Sequence, residues 1–296
     1  MKILNFGSLN IDMVYQMPHF VRAGETLSST SFTRNVGGKG LNQSVALARA
    51  GAEVYHAGLV GPDGELLRSF LNENGVDTRL VRTVDTPSGN AIIQVEPAGN
   101  NCILLYGGAN QCVTEDFIRE ALEPFAPGDL LILQNEINLI DRIIEQAHQK
   151  GMQVVLNPSP IADNLKALPL ERIDWFILNE IEGAALSGAE DTEGMAERLA
   201  ERFPSAKIVL TLGGDGSVCA HDGRIERQNA YTVRAVDTTA AGDTFTGFLM
   251  GGLLSGRTVP EAMELAAKAS AIAVTRPGAS PSIPTLEEVL GWQGQD

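Results

Sequence analysis

Short apolar runs and helical periodicities alternate along the chain. Residues 2–7 read as a strand, 40–50 as a helix, 53–59 as a strand and 65–74 as a helix. Further on, residues 130–133, 153–156, 175–178 and 208–212 form short, almost wholly apolar runs, as expected of buried strands. Amphipathic helical patterns at 137–149 and 193–202 lie among them. Strands alternating with helices imply a mostly parallel sheet covered on both faces, a three-layer α/β/α domain.

Two segments break the alternation. Residues 11–35 mix β-branched and polar residues with Pro18 and Gly24, and residues 90–106 do the same around a turn at Pro97, Ala98, Gly99 and Asn100. Both are too polar for a central parallel strand. They suit a small antiparallel sheet standing off the main domain, one face over a site, or surface hairpins without a role. Towards the C-terminus, residues 241–255 are apolar with many small side chains and 259–275 are helical and Ala-rich. Two tightly packed helices are expected there. No internal repeat, low-complexity stretch or long linker divides the 296 residues, so one domain over 1–296 is expected, with the two polar segments inserted.

Composition narrows the function. A net charge of −15 and a pI near 4.7 argue against nucleic acid or an anionic membrane as partner. Cys102, Cys112 and Cys219 are odd in number and lack CxxC spacing, which suits reduced, non-catalytic thiols. The N-terminus reads as a strand and not as a signal peptide, and no apolar run approaches the roughly 20 residues that span a bilayer. A cytoplasmic protein is expected. His19, His56, His148 and His221 lie far apart without metal-ligand spacing.

The candidate chemistry sits in glycine-rich turns. NVGGKGLNQSVALARAG, residues 35–51, runs a GGKG turn into an amphipathic helix. It is neither a Walker A loop nor GxGxxG. It offers close backbone approach, a cation at Lys39 and an amide at Asn42, groups that suit a polyhydroxylated ligand. A plain helix-capping turn competes with that reading. TLGGDGS, residues 211–217, follows a buried strand and suits an anion-binding nest or a tight hairpin turn equally. In NEIE, Asn179, Glu180 and Glu182 sit where a strand ends, either at a ligand crevice or, favoured locally, as ordinary first-turn acids of a helix.

VDTTAAGDTF, residues 236–245, is the most informative stretch. A helix starting near Ala241 has unpaired N–H groups at its first turn, and small residues let an anion sit on them. Thr238 or Thr239 is placed to cap it, which frees Asp243 to act as a base beside the bound anion. An anion hole and a carboxylate in one turn are what phosphoryl transfer to an alcohol needs.

With GSLNIDM, LQNEI and AIAVTRPGASPSIP added, these motifs make the chain resemble the ribokinase-like sugar kinases, the phosphofructokinase-B-type family, over nearly its whole length. The resemblance implies that Asn10, Asp12, Gly38, Lys39, Asn42 and Glu136 hold a sugar, and that Asp243 takes the proton from its accepting hydroxyl. It implies that N–H groups around Ala240, Ala241 and Gly242 receive the transferring phosphoryl. Asn179 and Glu182 match an N-x-x-E pair that organises ATP phosphates and, through water, Mg²⁺. Thr211, Gly213 and Gly216, with Gly242, would line the nucleotide site. Asp237, Thr239, Ala273, Arg276, Gly278 and Ser282 match a loop that binds K⁺ or another monovalent cation. Segments 11–35 and 90–106 match a β lid that also dimerises. Two positions depart from the pattern: Ala267 stands where an Asn near the adenine is expected, and Leu41 stands in place of Ala.

The expected reaction moves the γ-phosphoryl of ATP to a sugar hydroxyl, first of all ribose to ribose 5-phosphate. Kinases for fructose, deoxyribose, a nucleoside or a sugar phosphate are rivals on the same scaffold. A non-catalytic sugar-binding regulator is the rival from another class, and a dehydrogenase is disfavoured because no GxGxxG follows the first strand.

Overall fold

The computed structural model describes residues 1–189, 191–192 and 194–294. Among these, the strands in chain order are β1 (Ile3–Phe6), β2 (Asn10–Gln16), β3 (Ser31–Gly37), β4 (Val54–Val60), β5 (Asp77–Thr83), β6 (Gly89–Val95), β7 (Asn101–Tyr106), β8 (Leu130–Gln134), β9 (Gln153–Asn157), β10 (Trp175–Asn179), β11 (Lys207–Thr211), β12 (Ser217–His221) and β13 (Arg224–Gln228). The helices are α1 (Lys39–Arg49), α2 (Glu65–Glu73), α3 (Glu115–Leu122), α4 (Ile140–Gln149), α5 (Glu180–Ser187), α6 (Met195–Arg202), α7 (Ala241–Leu254), α8 (Val259–Val274) and α9 (Leu286–Gly291).

Nine strands form the main sheet in the order β13-β12-β11-β10-β9-β8-β1-β4-β5. Pairing is parallel from β11 across to β5, and the β12–β13 hairpin adds two antiparallel strands at one edge. Apolar side chains leave the central strands on both faces, because helices cover both. Leu4 and Val154 enter one buried cluster with Phe117, Ile143 and Leu199, while their neighbours Ile3 and Val155 enter the other with Val45, Phe248 and Met263. This explains why the central strands read as unbroken apolar runs.

Strands β12 and β13, α9, the charged edge strand β5 and the short α3 have no counterpart in the sequence expectations. Each is an edge or a short element whose pattern is set by its neighbours. The helix expected over 137–149 begins at Ile140, after Leu139 takes the left-handed conformation at φ 57°. The start expected at Glu193 lies outside the described residues, and the observed helix runs Met195–Arg202.

A second, four-stranded sheet stands apart in the order β3-β2-β6-β7. It is not purely antiparallel, since its central pair β2 and β6 run parallel, starting from Asn10 opposite Gly89. Both strands leave the main sheet on one side, after β1 and β5, so they set out in the same direction. No helix of the described residues is long and apolar enough to cross a membrane.

Helices α1 and α7 lie against each other, and small residues make that possible. A Cβ added at Gly247 would come within 2.3 Å of the Ala46 Cβ and 2.8 Å of backbone atoms of Ala46 and Leu47. An exposed helical Gly→Ala change gains up to about 1 kcal/mol from propensity. Here the overlap costs more, so Gly247→Ala should lower unfolding free energy by ~1–3 kcal/mol. Denaturant titration tests this, and a variant of equal or higher stability contradicts the packing described.

Candidate active site

The first turn of α7 carries Asp243, the base expected from the sequence. Its N-cap is Ala240, which adopts the left-handed conformation at φ 61° and makes no side-chain cap. Neither Thr238 nor Thr239 caps the helix as the sequence suggests, because the chain turns sharply at Ala240. The Ala241 N–H is not free either: it donates to the Thr238 carbonyl at 3.2 Å. Among the described residues, the N–H groups of Gly242 and Asp243 have no protein acceptor and lie at the positive end of the helix dipole.

Asp243 is buried, and its carboxylate is fixed by two side-chain amides of α1. Asn42 Nδ2 donates to Oδ2 and Gln43 Nε2 to Oδ1, both at 2.9 Å. Asn42 Oδ1 accepts from Ser280 Oγ. The Asn42 amide, expected at a ligand, gives one of its hydrogens to Asp243.

A second cluster of polar groups gathers at the ends of β1, β2 and β8 and the start of α1. Gly38, at φ 94°, is the N-cap of α1, a conformation open to glycine and strained for other residues. The next N–H, from Lys39, donates to Glu136 Oε2 at 3.0 Å, and Ser8 Oγ donates to the same oxygen. Asn10 is buried and accepts from Asn110 Nδ2 at 2.7 Å. Burial, reinforced by the charge of Glu136, lifts the Asp12 carboxyl to about 7. Burial likewise raises Glu136, against the pull of Ser8 and Lys39. Burial works against the Lys39 ammonium, but the carboxylates of Asp243, Glu136 and Glu182 outweigh it and hold it above its ordinary value. One cation thus stands among three acids.

Two cavities adjoin at the α7 terminus. The smaller, ≈ 200 Å³, is lined by Lys39, Asn179, Glu182, Ala240, Gly242 and Asp243, among others. The larger, ≈ 530 Å³, is lined by Thr211, Gly213, Gly216, Gly242, Phe245 and Ala267, among others. Asn179 caps α5 in a reciprocal capping box: Glu182 N donates to Asn179 Oδ1 at 2.9 Å and Asn179 N to Glu182 Oε2 at 3.0 Å. Glu182 is therefore a first-turn acid and a cavity acid at once, while Glu180 is exposed. Burial raises the Glu182 carboxyl, countered by bonds from Asn179 and Ser159 and by Lys39. TLGGDGS forms the hairpin turn between β11 and β12, closed by Leu212 N to Gly216 O at 2.8 Å, and that turn walls the larger cavity.

Asp237 joins two loops beside α7. Its Oδ1 accepts from Thr239 N and its Oδ2 from Gly278 N, both at 2.9 Å. Burial opposes its charge, but these bonds outweigh it and hold the carboxyl below its ordinary value. Ser282 Oγ donates to the Ala279 carbonyl at 2.8 Å. The Arg276 guanidinium pairs with Glu288, so Arg276 has only main-chain groups to give to this loop, and the Ala273 carbonyl already accepts from Arg276 N.

The structure brings the candidates into one connected region with a sugar-type cluster, a transfer point and a nucleotide-type cavity. Four partners went unread in the sequence. Gln43 and Ser8 sit inside quoted motifs, where helix adjacency to Asn42 was the available signal. Ser280 also sits inside a quoted motif, but its approach to Asn42, like that of Asn110 to Asn10, is from a short turn that only the fold positions.

Comparison with known proteins agrees with this geometry. A ribokinase of Haemophilus influenzae is 37% identical over 96% of this chain and 95% of its own length. The solved structure of a Cryptococcus neoformans ribokinase in complex with ADP matches with a TM-score of 0.85 at 32% identity, covering 98% of each chain. That of Arabidopsis thaliana ribokinase complexed with ribose and ATP matches with a TM-score of 0.86 at 28% identity, covering 98% of this chain and 97% of the other. The model of the pfkB family of carbohydrate kinases matches residues 1–286. The chain belongs to the pfkB family of carbohydrate kinases, phosphotransferases that act on an alcohol group.

Proposed function

We propose that the chain transfers the γ-phosphoryl group of ATP to D-ribose, giving ribose 5-phosphate. The observation that carries this is the first turn of α7, where the Asp243 carboxylate and the unpaired N–H groups of Gly242 and Asp243 stand between the polar cluster and the larger cavity. The names of the relatives support ribose and ATP as the pair of substrates.

In this reading Asn10, Asp12 and Glu136 accept sugar hydroxyls, and Gly38 lets the sugar approach the backbone. Asp243 accepts the proton of the attacking hydroxyl. The free N–H groups and Lys39 stabilise charge on the transferring phosphoryl, whose transition state is loose, so positioning and electrostatics dominate. Nucleotide occupies the larger cavity, against Thr211, Gly213 and Gly216. Among the described residues no group of three or more His, Cys, Asp or Glu is arranged to hold a metal ion. Mg²⁺ would come with the ATP phosphates, with Asn179 and Glu182 orienting its water shell. Mg²⁺ supplies charge neutralisation when bound. A monovalent cation such as K⁺ suits the loop of Asp237, Thr239, Ala273, Arg276, Gly278 and Ser282, where one carboxylate already gathers main-chain groups. It would fix the loop that leads into Ala240.

The second sheet acts as a lid over the sugar, within one domain spanning 1–296, its inserted segments being about 11–35 and 90–106. The register supports ribose over bulkier or charged acceptors. Asp12 pairs with Asn35, whereas Arg34 pairs with Met13 and Tyr15 with Phe32, one residue out of step and so on the opposite face. Arg34 and the Tyr15–Phe32 pair are thus not on the Asp12 face, where a cationic clamp for a phosphorylated sugar or a stacking ring for a nucleobase would be needed. Strand β7 is exposed throughout, with Ile103, Leu104, Leu105 and Tyr106 each at least half accessible, which suits a homodimer formed through the lid. Three free thiols suit a cytoplasmic setting.

ADP release with Mg·ATP over a panel of pentoses and hexoses, with and without K⁺, tests the reading. Turnover strongest on ribose and raised by K⁺ is expected; turnover confined to another sugar overturns the acceptor. Asp243→Asn should lower kcat by ~10²–10⁴ while changing the ribose KM little. Near-normal turnover in that variant removes Asp243 as the base. Asp12 accepts hydrogen bonds from sugar hydroxyls as a carboxylate, and burial and the charge of Glu136 push its carboxyl up to about 7. Below that pH it is protonated, so the ribose KM should rise by up to about tenfold per pH unit as pH falls. Asp12→Asn should flatten that limb, and an unchanged profile contradicts the assignment. Leu104→Asp should convert a dimer to a monomer in sedimentation velocity, and an unaffected dimer places the interface elsewhere.

A further inference from the structure

Behind Asp243 a string of buried polar side chains crosses the apolar interior. Gln43 Nε2 donates to Asp243 Oδ1 at 2.9 Å and to Asn157 Oδ1 at 3.1 Å. Gln43 Oε1 accepts from Gln134 Nε2 at 2.7 Å, and that amide also donates to Asn5 Oδ1 at 2.8 Å. Asn5 Nδ2 donates to Gly40 O at 2.7 Å and to Ser44 Oγ at 2.8 Å, and Ser44 Oγ pairs with His56 Nδ1 at 2.8 Å. Asn5, Gln43, Ser44 and His56 have no accessible surface, and Gln134 has 1%. Burial drops the His56 imidazole to about 3, so the string carries no charge besides Asp243.

Stability alone does not call for these residues. Asn5 lies in the strand ILNF and Gln134 ends LLILQ, central strands whose other residues are all apolar. Each polar group buried there costs about 1–3 kcal/mol if left unpaired, and an apolar set of equal volume would escape that risk. What the string achieves is a fixed Gln43: both hydrogens of its amide are given away and its oxygen is taken.

We propose that Gln43, locked by Gln134 and Asn5, is a positioning residue that sets the plane of the Asp243 carboxylate. The proposal rests on Asp243 being the base. Asn42 holds one carboxylate oxygen and Gln43 the other, so the Cβ–Cγ bond cannot turn, and the lone pairs left over face one direction. A reacting group displaced by about 1 Å costs on the order of 10² in rate.

The test compares Gln43→Met, Gln134→Met and the double variant with wild type, with calorimetric ADP binding as the check that each folds. Gln43→Met should lower kcat by roughly 10–100-fold with less than a threefold change in either KM. Gln134→Met, which does not touch Asp243, should lower kcat by about 3–10-fold, and the double variant should equal Gln43→Met, because Gln134 acts through Gln43. A folded Gln43→Met with kcat within twofold of wild type overturns the proposal, as do losses that multiply in the double variant. If Gln43→Met does not fold, Gln134→Met decides alone by the same KM-against-kcat split. A crystal structure of either folded variant reads the claim without turnover: a carboxylate rotated from its wild-type plane supports it, and an unmoved one overturns it. A wild type that phosphorylates no sugar defeats the kinase reading and leaves that crystallographic answer standing.

Discussion

The close contact between α1 and α7 is the constraint on which the rest of the site depends. Gly247 lies against Ala46, and Gly251 against Ala50, at separations that admit no larger side chain at either glycine. The two helices therefore approach backbone to backbone, and Asp243 in the first turn of α7 comes under Asn42 and Gln43 in the first turns of α1. A bulky residue in that seam would separate the base from the amides that hold it. In the proposed function, the run of small and apolar residues in α7 is thus as much a part of the site's geometry as the carboxylate.

From that seam the two substrate regions diverge. The start of α1 faces Ser8, Asn10 and Glu136 at strand ends, where carboxyls and amides are fixed by one another. The start of α7 faces a cavity with few charged walls, beneath the hairpin turn at Gly213–Asp215. Ligands placed from the two sides meet at the unpaired N–H groups of Gly242 and Asp243, with Lys39 balancing the acids around them. In the proposed function the second sheet excludes water and so strengthens these interactions, since charge effects grow as the local dielectric falls.

Much of this was legible in the sequence. The parallel sheet was readable because burial on both faces writes itself as apolar runs, and the glycine turns were readable because few residues replace glycine at such turns. The helix start in VDTTAAGDTF, with Asp243 in its first turn, followed from the small residues that precede it. Other features are set by tertiary contact and leave no local mark. The left-handed Ala240 replaced the threonine cap, the Ala241 N–H turned back to Thr238, and the Asn42 amide bonded to Asp243. The parallel pairing of β2 with β6 depends on where both strands leave the main sheet, which no local pattern encodes. Asn5 and Gln134 are the clearest case: a polar residue in an apolar strand reads as a defect until its partner, more than a hundred residues away, is seen.

The central claim is that the attacking hydroxyl meets Asp243 while the phosphoryl group meets the start of α7. A crystal structure with ribose and a non-hydrolysable ATP analogue measures both at once. The account predicts the ribose 5-hydroxyl within hydrogen-bond distance of the Asp243 carboxylate, and the terminal phosphate on the N–H groups of Gly242 and Asp243. A 5-hydroxyl directed away from Asp243, or a terminal phosphate held elsewhere, would contradict it.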